Sequence, residues 1–81
     1  MRKGVVVLRD QASTLELRGQ VREVLTASGF SCESRQRFDG TMIVAFERSP
    51  DQDETSVEAL ENLLRGNPLL ESAPFVIKAQ D

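Results

Sequence analysis

Four consecutive apolar residues, Val5-Val6-Val7-Leu8, constrain the fold more than any other feature of the chain. Successive side chains of a strand point to opposite faces, so a β-branched run without polar alternation needs cover on both sides and belongs in the middle of a sheet. A second such segment is Thr41 to Glu47, where Met42, Val44 and Phe46 alternate with Ile43 and Ala45. Ser13-Thr14-Leu15-Glu16 fits a capping box in which the Ser13 hydroxyl accepts from the backbone three residues on and the Glu16 carboxylate reaches back. Leu17, Val21, Val24 and Leu25 follow at helical spacing, and Gly29 supplies a left-handed stop. Gly19 interrupts this helix at about 1 kcal/mol relative to Ala, and a close approach of helix to sheet is the expected reason. Asp51, Asp53 or Thr55 is available to cap a second helix, and Thr55-Ser56-Val57-Glu58 is another capping box. Val57, Leu60, Leu63 and Leu64 form its inner stripe, ended by Gly66 and Pro68. Pro74 to Ala79 reads as a last strand, with Phe75 and Ile77 alternating with Val76 and Lys78.

The element order is βαββαβ, and right-handed crossovers arrange it as a four-stranded antiparallel sheet in the order 4-1-3-2 with both helices on one face. This is an α+β, ferredoxin-like sandwich, and residues 1–81 make one domain. The strands placed in the middle, first and third in the chain, are also the two most apolar. Side-chain parity then decides the hairpin through Phe38-Asp39-Gly40. A two-residue turn at Asp39-Gly40 would pair Arg37 with Met42 and Arg35 with Val44, putting charge on a core face. A three-residue loop with Gly40 left-handed instead gathers Phe30, Cys32, Ser34 and Gln36 beside Met42, Val44 and Phe46, and this register is the one expected.

One sheet face therefore lies under the helices, and the other keeps Ile43 and Ala45, half of the first-strand run, and either Val76 or the pair Phe75 and Ile77. Glu33, Arg35, Arg37 and Glu47 ring that second face. An apolar centre with a charged rim is the composition of a partner surface, with Arg35, Arg37, Ile43, Ala45 and Val76 as its candidate residues. Scattered exposed aliphatics are the plainer explanation, but central strands with two apolar faces need cover. The expected function is a non-catalytic interaction or regulatory module, acting as a homodimer or docked on a partner protein through the open face or an edge strand. An inhibitor of another protein's machinery, such as a phage-encoded antagonist, would use the same surface.

Ten basic against thirteen acidic residues give a net charge of −3, which disfavours nucleic acid because phosphate binding is driven by counterion release. With four Phe, no Tyr and no Trp, and Thr41-Met42-Ile43 where an aromatic RNA-binding signature would begin, base stacking is disfavoured too. Without histidine a Ser/His/Asp triad is impossible, and with Cys32 as the single cysteine no cysteine-based zinc site or internal disulfide forms. The carboxylates Asp51, Asp53 and Glu54 read as helix-start residues rather than a cation loop. No enzyme activity, metal or cofactor is expected. The Val5–Leu8 run is too short for a membrane segment, and a reducing cytoplasm fits the cysteine usage.

Val7-Leu8-Arg9-Asp10 leading to Leu15, then Val21, Leu25 and Gly29-Phe30-Ser31-Cys32-Glu33-Ser34, and finally Leu60, Leu63-Leu64-Arg65 to Pro68 before Phe75-Val76-Ile77, together resemble the ACT domain. That family is a small βαββαβ regulatory module whose members pair with another copy and bind amino acids at the interface. The resemblance implies a small-ligand sensor as the alternative function, with Asp10, Gln11 and Ser13 as ligand-binding candidates at the start of the first helix. Gln11-Ala12-Ser13 stands where amino-acid-binding members carry a Gly.

Overall fold

The computed structural model describes residues 1–80 and contains β1 (Lys3–Leu8), a 3-10 turn (Asp10–Ala12), α1 (Leu15–Ala27), β2 (Ser31–Gln36), β3 (Met42–Glu47), α2 (Val57–Arg65) and β4 (Phe75–Ala79). The strands form one antiparallel sheet in the order β2-β3-β1-β4, which is the expected 4-1-3-2 read from the other edge. β1 and β3, the two apolar strands, sit in the middle. Val6, Leu8, Val44, Phe46 and Phe75 from one sheet face join Val21 and Leu25 of α1 and Leu60 and Leu64 of α2 in a single core. Both helices therefore cover the same side.

A column of contacts runs through this core. Phe46 lies opposite Gly4 across β3 and β1, and a Cβ on Gly4 would come within 2.8 Å of the Phe46 ring and 2.5 Å of the Lys78 carbonyl. The glycine thus makes room for the ring. Phe46 meets Phe30 edge to face at 5.5 Å and 86°, an arrangement the ring quadrupoles favour. The Arg48 guanidinium stacks 4.7 Å from the Phe30 centroid while donating to the carbonyls of Ser28 (2.9 Å) and Asp53 (3.1 Å).

The hairpin adopts the three-residue loop. Arg37 N–H donates to Thr41 O and Gly40 N–H to Arg37 O, both at 2.9 Å, and Gly40 has φ +88°, the left-handed region that a residue with a Cβ rarely enters. Cys32 pairs with Phe46, Ser34 with Val44 and Gln36 with Met42, so the charged residues of β2 stay off the core face. α1 ends as its sequence indicates. Gly29, at φ +92°, donates to Thr26 O at 3.1 Å and Phe30 N–H donates to Leu25 O at 3.0 Å, which is the Schellman pair of bonds.

Both helix starts differ from expectation by one residue, and for the same reason. Thr14, not Ser13, caps α1 by accepting from Leu17 N–H at 3.2 Å. Ser13 is drawn away by the hairpin: its hydroxyl accepts from Met42 N–H at 2.7 Å and donates to Gly40 O at 3.3 Å. Ser56, not Thr55, caps α2 by accepting from Ala59 N–H at 3.0 Å. The Thr55 backbone is instead tied to Met1, donating to its carbonyl at 3.1 Å and accepting from its amino group at 2.7 Å. In each doublet the first residue makes the tertiary link and the second becomes the cap.

Two further expectations are corrected. Gly19 is exposed with open space where a Cβ would stand, so no close approach explains it and it only costs α1 stability. Val57 and Leu63 are 39% and 41% exposed, leaving Leu60 and Leu64 as the buried stripe of α2. Gly66 ends that helix, as expected, with φ −69°.

Candidate partner interface

The sheet face away from the helices carries its own small apolar cluster, Val5, Val7 and Ile43 with Ala45 packed against it. The pairing shows why. Val7 lies between Ile43 and Val76, and Val5 between Ala45 and Lys78; Arg35 and Glu33 stand beside Ile43 and Ala45 from β2. Four of the five candidate interface residues, Arg35, Ile43, Ala45 and Val76, therefore share one surface. Arg37 lies just beyond the end of β2, facing Thr41 across the turn.

The apolar area left free is smaller than the sequence pattern implies. Val5, Val7 and Ile43 are only 9%, 2% and 7% exposed, whereas Val76 is 36% exposed and Ala45 half-buried. No helix covers this side; the residues flanking the cluster are Lys3, Glu33, Arg35, Glu47 and Lys78, long side chains whose aliphatic stems cover apolar surface while their heads remain in water. Arg35 donates to Glu33 at 3.1 Å, with both side chains well exposed, and such a pair contributes at most about 1 kcal/mol to the fold. It is better regarded as a property of the surface.

At one end of this face the hairpin tip projects Phe38, which is fully exposed. A shallow groove beside it is lined by Val7, Arg9, Asp10, Arg37, Asp39 and Thr41. Hydrogen bonds from the Thr41 hydroxyl, then from its backbone N–H at 2.9 Å, hold the Asp39 carboxyl below the usual range, so it stays charged. Of the three ligand candidates, Asp10 reaches this groove, in a left-handed conformation at φ +50°. Gln11 is exposed nearby and Ser13 has its hydroxyl engaged by the hairpin backbone. Asp39 was not offered by sequence as a site residue, because only the folded hairpin brings it to the groove that Asp10 lines.

The Cys32 thiol is half-buried on the helix side of β2, and burial pushes its pKa up, opposed by a Thr26 hydrogen bond and the Arg22 charge. A neutral thiol is a poor nucleophile. Among the described residues no group of three or more His, Cys, Asp or Glu side chains is placed to hold a metal ion, and no helix is long and apolar enough to cross a membrane. Comparison with protein-family models, with curated proteins and with solved structures finds no match to this chain.

Proposed function

We propose that this domain is a non-catalytic interaction module of the cytoplasm, docking on a protein partner or a second copy through the helix-free side of its sheet. The supporting observation is the second apolar cluster, Val5, Val7, Ile43 and Ala45, on a face that carries no helix and is rimmed by charge of both signs. Regulation or inhibition of the protein it docks on are both served by such a surface. Val76 and Ala45 are the positions to test, since they retain exposure; Ile43 is buried, and charging it would report on folding instead. The Val76→Glu/Ala45→Glu double variant is expected to weaken association at least tenfold in sedimentation velocity with unchanged circular dichroism. A domain that stays monomeric at high micromolar concentration and recovers no partner in pull-down would sink the proposal.

The groove favours a second reading, the ACT-like sensor. Arg9 and Arg37 line it together with Asp10 and Asp39, and charges of both signs suit a zwitterion such as a free amino acid. A ligand at 100 times its Kd adds about 2.7 kcal/mol of stability, so a thermal-shift screen of the amino acids removes this reading if none moves the transition.

A further inference from the structure

Asp39 is the only aspartate of the chain that precedes a glycine, and neither Asn62 nor Asn67 does so. The pair sits at the tip of the β2–β3 hairpin, where Phe38 and Asp39 are exposed and open space surrounds the position a Cβ on Gly40 would take. With no side chain to crowd it, the Gly40 nitrogen can approach the carboxyl group of the residue before it more closely than any other residue type allows. In the folded loop both of these groups are engaged elsewhere. Gly40 N–H donates to Arg37 O and Thr41 N–H to Asp39 Oδ1, each at 2.9 Å. The Thr41 hydroxyl and then its N–H also keep the Asp39 carboxyl ionised, and a carboxylate is a poor target for a nucleophile.

We infer that the Asp39–Gly40 bond is a site of spontaneous covalent rearrangement, from aspartate to isoaspartate, and that Thr41 restrains it in the native hairpin. The Gly40 nitrogen attacks Cγ of Asp39; the new N–Cγ bond closes a five-membered succinimide, and the amide proton leaves with the carboxyl OH as water. Water then adds to the main-chain carbonyl carbon of Asp39 and breaks its bond to the Gly40 nitrogen, which keeps the electron pair and takes up a proton. The chain now runs through the side-chain carbon, and the former main-chain carbonyl is a free carboxylate. One water leaves and one returns, so no oxidant, cofactor or catalyst is needed. Only the tip has to open for this to occur. The Ser13 hydroxyl grips Gly40 O and Met42 N–H at the base of the hairpin, and Arg37 N–H grips Thr41 O; the bonds that must break are those from Gly40 to Arg37 and from Thr41 to Asp39. Opening of an exposed tip is a local event that leaves the core folded. The product carries one extra backbone carbon in the three-residue loop that sets the register of β2 against β3.

The test ages the full chain at 37 °C and neutral pH, folded and in guanidinium chloride. Isoaspartate is read by transfer of a labelled methyl group from S-adenosylmethionine with an isoaspartyl methyltransferase. Peptide mass spectrometry after a protease that cuts before aspartate but not before isoaspartate places it in the sequence. In the folded parent the label is expected to accumulate at residue 39, and Asp39→Glu, which cannot close the five-membered ring, is expected to abolish it there. Thr41→Val, with unchanged circular dichroism, should react about threefold faster or more, since a hydrogen bond to a charged group is lost, whereas Thr41→Ser keeps the hydroxyl and should match the parent. The denatured chain should react at least about tenfold faster than the folded one, because every restraint of the tip is then gone. In the aged form the amides of residues 31–41 should exchange faster than in fresh protein. A folded parent that stays unmodified at residue 39 while the denatured chain reacts overturns the inference. Equal rates in the folded and denatured chains, or a Thr41→Val variant no faster than Thr41→Ser, overturn it as well.

Discussion

Phe46→Ala is expected to lower unfolding free energy by about 3–5 kcal/mol, the range for truncating a buried aromatic. The ring is 2% exposed, and three separate losses coincide at this position. Its transfer free energy goes, the cavity cannot collapse because Gly4 opposite has no side chain to move in, and Phe30 loses its edge-to-face partner. A domain of this size holds about 4–12 kcal/mol in all, so this one substitution removes at least about a quarter of it. Urea titration followed by circular dichroism measures the loss. A fall below about 1.5 kcal/mol would mean that the core relaxes around the gap and that the Gly4–Phe46–Phe30 column is not a stabilising unit.

Arg65→Ala is expected to cost about 2–3 kcal/mol, from the loss of charge-assisted hydrogen bonds and a stacked guanidinium. Arg65 closes the irregular segment between α2 and β4. Its Nη1 donates to the carbonyls of Leu70 (2.9 Å), Glu71 (3.3 Å) and Ala73 (2.6 Å), and its guanidinium lies 4.0 Å from the Phe75 ring centroid. Leu70 and Ala73 are buried core residues lying outside any helix or strand, so the arginine supplies the order that regular hydrogen bonding would otherwise provide. Arg65→Lys should recover less than half of the loss, because an ammonium lacks the planar fork that spans several carbonyls while stacking on a ring. Hydrogen exchange should locate the effect in residues 66–75; uniform acceleration across the sheet would argue against a local clamp.

What was legible in the sequence was whatever follows from a period. Alternation along β3 and the unbroken run in β1 predicted the central strands, and parity across Phe38-Asp39-Gly40 chose the hairpin register that is observed. What was not legible depends on contacts between segments distant along the chain. Ser13 and Thr14 are equivalent as caps until the hairpin backbone takes one of them, and Thr55 and Ser56 until Met1 does. Leu70, in an irregular segment, and Ala12, in the short 3-10 turn, are fully buried where no periodicity marks them. For the candidate surface, sequence placed Arg35, Ile43, Ala45 and Val76 together, but not the extent to which their neighbours already shield Ile43. Burial of that kind depends on side chains of adjacent strands, which no single segment encodes.

The loop between Arg37 and Thr41 sets which face of β2 meets the helices. A slip of one residue across it would turn β2 over, sending Glu33 and Arg35 beneath α1 and Cys32, Ser34 and Gln36 outward. Point changes at the exposed Phe38 and Asp39 leave that arrangement untouched. Variation at those two positions is therefore expected to be tolerated, whereas Gly40, held left-handed at φ +88°, is not expected to accept a side chain without strain.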